Sequence, residues 1–327
     1  MRQRLLGSTS EQVSAIGLGC MGLVGWYGER DDPEAEATVR HALDIGVTHL
    51  DTAAVYQDGA NERFVGKCIR GRRDEVFLAT KCGMERSAAG GIAVDNRPEL
   101  IRQSCDASLE RLGTDRIDLF YLHRIDPNVP VEDSMGAMAE LVTAGKIRYV
   151  GLSEASPETL ERAHAAHPVA ALQSELSLWT RRAAEPALEK CRELGIAFVA
   201  YSPLGRGFLS GAIRGPEDLP ENDTRRIFPR FAAENFSDNV AAADEVRALA
   251  ELMHLTPAQL ALAWVLAQWE GVLPIPGTKK RKYLDENAFA GDIDLSADVL
   301  AKIDRQLPES LVHGERYPEM MIGTLNN

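Results

Sequence analysis

Four side chains that are able to move a proton lie at or just after the ends of three apolar, β-branched stretches: Asp51, Tyr56, Lys81 and His123. A free tyrosine has a pKa of about 10, too high for efficient proton donation near neutrality, and a nearby ammonium lowers that value. Lys81 would supply the ammonium, and Asp51 would keep it charged and oriented. His123 would hydrogen-bond a carbonyl oxygen beside the phenol. The four residues predict a site that polarises a C=O group and protonates the alkoxide as it forms.

Each of these residues also has an ordinary structural interpretation. Asp51 would cap a loop, Lys81 would form an ion pair in a barrel, and His123 would be a satisfied core histidine. Tyr56 would pack within its own loop. Their shared position favours function, because the carboxyl ends of parallel strands in a barrel converge on one face.

A proton donor supplies no electrons, so a cofactor is needed, and a basic run at Lys279–Lys282 provides a second signal. The run follows an apolar strand and opens a helical pattern, where backbone N–H groups favour phosphate. Gly277 and Thr278 turn the chain just before it, and barrel phosphate sites gather near the last strands. The run predicts a phosphorylated cofactor, and its extra cations favour a 2′-phosphate. The alternative is a solvated helix face.

A third signal is the stretch FVAYSPLGRGFL at residues 198–209. Tyr201 ends an apolar run and would stack on a flat heterocycle, while Ser202 and the glycine-rich turn would approach a pyrophosphate. The alternative is a Pro-Gly turn with a core aromatic. Ser153 and Gln173 end two further runs, where they would bind an amide or satisfy buried backbone groups.

Eight short apolar runs alternate with longer amphipathic stretches and are predicted to be strands: residues 13–20, 47–53, 76–82, 117–123, 148–154, 171–177, 197–203 and 272–277. The alternation predicts an α/β fold in which a parallel sheet closes into a (β/α)8 barrel, with a single domain over residues 1–327. An open doubly wound sheet is the alternative. Against it, the run GLGCMG at the first strand breaks the GxGxxG spacing of a dinucleotide-binding turn.

Helix-capping and turn residues refine this prediction. Residues 34–46 have helical apolar spacing, with Asp32-Pro33 as the N-cap and first helical position. Ser156-Pro157 and Thr256-Pro257 are predicted to open two later helices, and the first twelve residues are predicted to form a hairpin ahead of the barrel. Residues 205–236 show no period, which is typical of a long pocket loop or lid.

The composition excludes several classes of function. A net charge of −13 and a pI near 5.1 give no general attraction for nucleic acid or anionic membranes. Five cysteines with wide spacing predict neither a disulfide framework nor a metal site, and they suit a reducing cytoplasm. The N-terminus lacks the apolar run of a signal peptide. We therefore expect a cytoplasmic protein, and its oligomeric state is not readable from the sequence.

Together the motifs resemble those of aldo-keto reductases: DTAAVYQDGANE, LATK, FYLHR, GLSEAS, QSELSLW, AYSPLGRGFLSG and IPGTKKRKYLDEN. They stand in the order of that family over essentially the whole chain, and GLSEAS and AYSPLGRGFL are similar to its microbial and plant branch. The resemblance implies a (β/α)8 barrel that binds NADPH in extended form, with NADH less favoured. It implies a catalytic tetrad in which Tyr56 is the general acid, completed by Asp51, Lys81 and His123.

The resemblance also implies a cofactor site in which Tyr201 stacks on the nicotinamide while Ser153 and Gln173 hold its carboxamide. The other positions predicted to contact the cofactor are Cys20, Met21, Asp51, Ser202, Pro203, Leu204, Gly205, Arg206, Gly277, Thr278, Lys279, Tyr283, Glu286 and Asn287. Two positions depart from the family pattern, since Glu154 replaces a common Asn and Tyr283 a common Arg. The 2′-phosphate would then depend on Lys279, with help from Arg281.

The expected reaction is NADPH-dependent reduction of aldehydes or ketones, reversible as alcohol oxidation. The alternatives are a cofactor-sensing subunit with little turnover and an unrelated phosphate-binding barrel. Aromatic residues suit a hydrophobic carbonyl or alcohol substrate. The residues predicted to line its pocket are Trp26, Tyr27, Tyr56, His123 and Trp179.

Overall fold

The chain begins with a short antiparallel hairpin that covers one end of the molecule. The computed structural model describes residues 1–86, 91–323 and 325. Strands β1 (Gln3–Leu5) and β2 (Gln12–Ser14) pair with Arg4 opposite Val13. Leu6 and Val13 are fully buried in one cluster with apolar side chains from the barrel strands. The predicted hairpin is therefore confirmed, and it closes the amino-terminal end of the barrel.

Eight parallel strands form the barrel wall, and their number and pairing agree with the predicted fold. They are β3 (Leu18–Gly19), β4 (His49–Asp51), β5 (Phe77–Cys82), β8 (Ile117–Leu122), β9 (Ile147–Ser153), β10 (Val169–Glu175), β11 (Ala197–Tyr201) and β12 (Val272–Pro274), with the small hairpin of β6 (Met84–Arg86) and β7 (Ile92–Val94) standing apart. The sheet closes because the amides of Gly17 and Gly19 donate to the carbonyls of Pro274 and Pro276, at 2.9 and 3.2 Å.

Helices surround this wall and shield its outer face. Their bounds are α1 (Asp32–Asp44), α2 (Ala60–Cys68), α3 (Pro98–Leu112), α4 (Val131–Thr143), α5 (Pro157–Ala166), α6 (Glu185–Leu194), α7 (Ala233–Leu252), α8 (Pro257–Ala267), α9 (Arg281–Phe289), α10 (Ala297–Gln306) and α11 (Glu319–Ile322). The predicted starts of α5 and α8 are confirmed, because Ser156 and Thr256 each accept a hydrogen bond from the third amide of the helix.

The strands predicted at residues 47–53, 171–177, 197–203 and 272–277 end two or three residues earlier in the structure. The first predicted strand and the first predicted helix differ further. The first predicted strand, residues 13–20, is split between β2 and β3, because the backbone leaves the hairpin before it joins the barrel. The first helix spans Asp32–Asp44 rather than residues 34–46, and Asp31 rather than Asp32 caps it by accepting from the Glu34 amide at 3.1 Å.

The predicted aperiodic region, residues 205–236, consists of short 3₁₀ segments followed by the start of α7. These segments are Gly205–Ser210, Pro216–Asp218, Thr224–Ile227 and Pro229–Phe231. They lie on the carboxyl side of β11, at the face where active sites of barrels form.

Among the described residues, no single helix is both long and apolar enough to cross a bilayer. The pair α7 and α8 meets the length and composition test when taken together, with a bend of 88° between the two helices.

Candidate active site

Asp51 is the centre of a buried hydrogen-bond network at the carboxyl end of β4. It is 2% exposed, and the ammonium of Lys81 donates to its Oδ1. The amide nitrogen of Gln173 donates to Oδ2 at 2.7 Å. Lys81 also donates to the carbonyl of Thr52 at 2.7 Å, so both charges are paired and hydrogen-bonded. A buried ion pair of this kind requires such additional hydrogen bonds to offset its desolvation.

The register of the sheet brings these residues to one level. Asp51 pairs with Ala79 across β4 and β5, and Lys81 pairs with Tyr121 across β5 and β8. Lys81 lies two residues beyond Ala79, so its side chain points to the same face of the strand, into the barrel. His123 follows the last residue of β8, and its amide donates to the Cys82 carbonyl at 2.9 Å.

Tyr56 and His123 face each other above the Asp51–Lys81 pair. Their ring centres are 5.8 Å apart at an interplanar angle of 82°, and the Lys81 Nζ is 5.4 Å from the centre of the Tyr56 ring. Trp26 contacts the other side of Tyr56, with ring centres 6.5 Å apart. The structure therefore brings together all four residues that the sequence places at strand ends.

The pKa of Tyr56 is shifted upward, whereas the sequence predicted that Lys81 would lower it. Burial raises the pKa of its phenol, the Asp51 carboxylate raises it further, and Arg124 rather than Lys81 is the cation that lowers it. The predicted downward shift by Lys81 is therefore wrong, because Asp51 opposes the lysine charge at short range. A phenol of this kind stays protonated at neutral pH, as a proton donor must.

His123 and Lys81 are also shifted by burial. Desolvation, reinforced by the positive charges of Arg124 and Lys81, holds the pKa of His123 well below its ordinary value. The imidazole is thus neutral near pH 7, and its Nδ1 has no protein partner within the described residues. Burial lowers the pKa of Lys81, while its ion pair with Asp51 opposes that effect.

The side chains predicted to hold an amide group lie on β9, which ends at Ser153, and on β10, which contains Gln173. Ser153 is 1% exposed, and its hydroxyl accepts from Arg124 Nη1 at 3.2 Å. Glu154 has a left-handed backbone, with φ of 52°. Its carboxylate accepts from the Ser174 hydroxyl at 2.9 Å and from Arg316 at 3.4 Å. The Gln173 amide nitrogen is engaged by Asp51, as described above. Ser153 and Gln173 thus lie beside the tetrad.

The end of β11 carries the residues predicted to contact a nicotinamide and a pyrophosphate. Tyr201 is partly exposed, and its hydroxyl is 2.8 Å from that of Tyr317. Ser202 and Arg206 have left-handed backbone, with φ of 49° and 54°, and such strain at non-glycine residues clusters at binding sites. Pro203, Leu204 and Gly205 complete this turn. The Arg206 side chain points to Glu175, 3.1 Å away, and is 8% exposed overall.

The residues predicted to surround the adenosine phosphate lie after β12. Lys279 is partly buried, and its ammonium donates to the carbonyls of Tyr27, at 2.6 Å, and of Glu29. Arg281, the first residue of α9, pairs with Glu34 at 2.9 Å. The other residues of this group are the exposed Gly277 and Tyr283, the partly exposed Thr278 and Glu286, and the buried Asn287.

The chain matches the model of the aldo/keto reductase family over residues 15–307. The chain belongs to the aldo/keto reductase family. It is 44% identical over 315 residues to the aldo-keto reductase yakc [NADP(+)] of Schizosaccharomyces pombe, a match that covers 94% of this chain and 93% of that protein.

Solved structures show the same likeness at lower identity. The glycerol dehydrogenase AKR11B4 of Gluconobacter oxydans matches 99% of this chain and 96% of its own, with a TM-score of 0.84 and 28% identity. An aldo/keto reductase of Klebsiella pneumoniae, solved with NADP and acetate, matches 97% of this chain and 99% of its own, with a TM-score of 0.73 and 28% identity. The family therefore confirms the predicted barrel.

In this aldo/keto reductase a strap crosses the barrel mouth from the first strand to the region after β11. The strap is defined here as residues 25–29. The Trp26 carbonyl accepts from the Thr224 hydroxyl at 2.6 Å, and the Gly28 amide donates to Asp223 at 2.8 Å. The Arg225 guanidinium lies 4.9 Å from the centre of the Tyr27 ring. The strap thus joins Lys279 to the 3₁₀ segments after β11.

Not all of the predicted site residues line the mouth. Trp26 and Tyr27 are partly exposed on the strap, and Met21 is partly exposed before it. Trp179 is 3% exposed and packs on Phe208, with ring centres 5.0 Å apart, so its side chain is part of the core, and its role as a pocket wall stays a prediction. The Cys20 side chain is fully buried and its thiol contacts the Leu18 carbonyl, while its amide donates to the Asp51 carbonyl at 2.8 Å and its carbonyl accepts from Asn61 at 2.8 Å.

Two residues near the tetrad escaped the sequence analysis. Arg124 follows His123 directly. Its position beside a histidine at a strand end could have indicated a role in the site. Tyr317 lies in the aperiodic tail and reaches Tyr201 by tertiary folding, so no local pattern indicates it.

Proposed function

We propose that this chain is an NADPH-dependent oxidoreductase that reduces aldehydes or ketones to alcohols, with the reverse oxidation available at the same site. One observation supports this most directly: the Tyr56 phenol and the His123 imidazole face each other above the buried Asp51–Lys81 pair. Family membership supports the class of reaction, and the NADP in the names of two relatives supports the cofactor.

In this proposal Tyr56 gives the proton and His123 orients the substrate. The raised pKa of the phenol keeps Tyr56 protonated until a strong base, the forming alkoxide, lies beside it. A neutral His123 donates an N–H to the carbonyl oxygen and leaves the proton transfer to Tyr56. The Lys81–Asp51 pair is buried beneath the Tyr56 ring, where Lys81 would hold the phenol in place and the paired Asp51 keeps Lys81 charged.

The residues after β11 and β12 fit a phosphorylated dinucleotide. Lys279 donates only to carbonyls and forms no ion pair within the described residues, and after burial its pKa is lowered most by Arg225. This uncompensated positive charge suits a phosphate. Tyr201 and the turn at Ser202–Arg206 would hold the nicotinamide and pyrophosphate. The bound nicotinamide supplies the hydride.

Replacement of Tyr56 by Phe tests the assignment. We expect the rate of NADPH oxidation with small aldehydes to fall by at least about a hundredfold, the range ascribed to general acid catalysis. NADPH binding, followed by quenching of tryptophan fluorescence, should change little. A rate near that of the wild type would refute the assignment. NADPH binding by the wild type without turnover of any aldehyde would instead favour the cofactor-sensing alternative.

Three further proposals concern the domain organisation, the class of substrate and the location of the protein. We infer a single domain over residues 1–327, a small carbonyl or alcohol compound as the substrate, and a cytoplasmic location. All five cysteines are free and buried, which is consistent with a reducing compartment.

A further inference from the structure

Arg124 is a buried cation beside the catalytic residues, and within the described residues its guanidinium forms hydrogen bonds only from Nη1. It is 7% exposed, and its Nη1 donates to the His123 carbonyl at 2.7 Å and to the Ser153 hydroxyl at 3.2 Å. Its Nε is buried and has no partner within the described residues. The Nη2 group likewise makes no protein hydrogen bond there. The edge formed by Nε and Nη2 is the one that binds a carboxylate through two parallel N–H donors.

The neighbours of Arg124 place it at the mouth of the barrel. Burial lowers the pKa of Arg124, but the net shift is upward. The groups close enough to raise it are Tyr317, Tyr201, Glu154 and Tyr56. The charge of Arg124 acts on the Tyr56 phenol and on the His123 imidazole. An anionic group bound to Arg124 would therefore lie close to the proton donor.

The charges around Arg124 do not balance. Three other arginines nearby form ion pairs with two buried carboxylates, and Arg124 forms none within the described residues. The pairs are Arg206–Glu175 at 3.1 Å, Arg230–Glu175 at 3.4 Å and Arg316–Glu154 at 3.4 Å. Arg124 is thus the one guanidinium of these four without an ion pair within the described residues, which leaves a surplus positive charge at this position.

Such a surplus favours an anionic ligand. A guanidinium stays protonated in proteins, so Arg124 cannot relieve its burial by losing a proton. A buried charge without a partner costs several kcal/mol, a cost that a bound anion offsets. A carboxylate matches the free edge in both shape and charge.

We propose that Arg124 binds a carboxylate on the substrate, so that the preferred substrates are carbonyl compounds carrying a carboxylate. This inference rests on the proposed function, since it names the substrate class of the same site. It assigns Arg124 to substrate recognition and leaves the proton transfer to Tyr56.

The test compares meta-carboxybenzaldehyde with its methyl ester, which differ in charge at a similar size. We expect the wild type to prefer the acid in kcat/KM by about tenfold or more, the contribution of one hydrogen-bonded ion pair. Arg124→Met should reduce this ratio to about one, and Arg124→Lys should keep part of it. Arg102→Met is the matched control, because Arg102 pairs with Glu140 on the surface and its side chain is 42% exposed.

A second measurement does not depend on turnover. Calorimetric titration of the NADP⁺-saturated protein with benzoate and with benzamide should show benzoate binding that Arg124→Met abolishes and Arg102→Met retains. Equal kcat/KM values for acid and ester in the wild type would refute the inference. So would an acid-to-ester ratio unchanged in Arg124→Met, which would assign Arg124 to positioning His123 and Ser153. If neither aldehyde is reduced, benzoate binding alone decides the role of Arg124, and the proposed function fails only if the wild type also reduces no other small aldehyde.

Discussion

His49 is a histidine held neutral by the barrel interior, and this makes the stability of the protein depend on pH. It is the first residue of β4 and is fully buried, with its ring centre 5.4 Å from that of Phe77. Neither ring nitrogen has a partner within the described residues. Gly17 passes so close that a Cβ there would lie 3.0 Å from the His49 Nδ1. Burial lowers the pKa of His49 from 6.5 to about 4.

The downward shift of the His49 pKa decides whether stability rises or falls with pH. Because the pKa of His49 is lower in the folded state, the unfolded chain binds the proton more readily. The contribution to stability is complete above about pH 6.5, the unfolded pKa, and is lost as the pH falls towards about 4. A shift from 6.5 to about 4 corresponds to roughly 3 kcal/mol in total, of which about 2 kcal/mol is lost by pH 5.

Replacement of His49 by Leu removes this titration. We expect the decrease in unfolding free energy between about pH 7 and about pH 5 to be smaller in the variant by about 2 kcal/mol. Urea denaturation at closely spaced pH values measures it. His313→Leu is the control, because it removes an imidazole whose side chain is 51% exposed. The same pH dependence in His49→Leu and the wild type would refute the reasoning.

Two further predictions concern buried carboxylates. Glu62→Gln leaves Arg111 without its ion pair and should lower the unfolding free energy by about 3 kcal/mol, whereas Lys67→Met, which breaks an exposed pair, should cost under about 1 kcal/mol. Equal losses of urea stability in the two variants would contradict this. Asp51→Asn removes the charge that opposes the lowering of the Lys81 pKa by burial, so Lys81 should lose its proton at a lower pH. We expect the alkaline limb of the kcat profile to move to lower pH, and an unmoved limb would count against the proposed pairing.

Local sequence patterns predicted the strands well and the polar contacts poorly. The ends of β4, β5 and β8 were predicted within two residues because apolar runs and turn residues act over a few positions. The local pattern did not indicate that Trp179 is buried, because an aromatic residue after a strand has the same local pattern in a core as in a pocket. The direction of the Tyr56 pKa shift was wrong because it depends on the balance between burial, Asp51 and more distant cations.

The sequence by itself determined which side chains stand at the strand ends, because strand length and chain reversal depend on neighbouring residues. It thereby determined that Asp51, Lys81 and His123 share one face of the barrel. Tertiary structure alone decided which groups meet there: Gln173 reaches Asp51 from 122 positions away, and Tyr317 reaches Tyr201 from 116 positions away. It also buried His49 and gave Arg124 no carboxylate partner within the described residues. Desolvation and charge pairing depend on neighbours in space, and only the closed barrel brings those neighbours together.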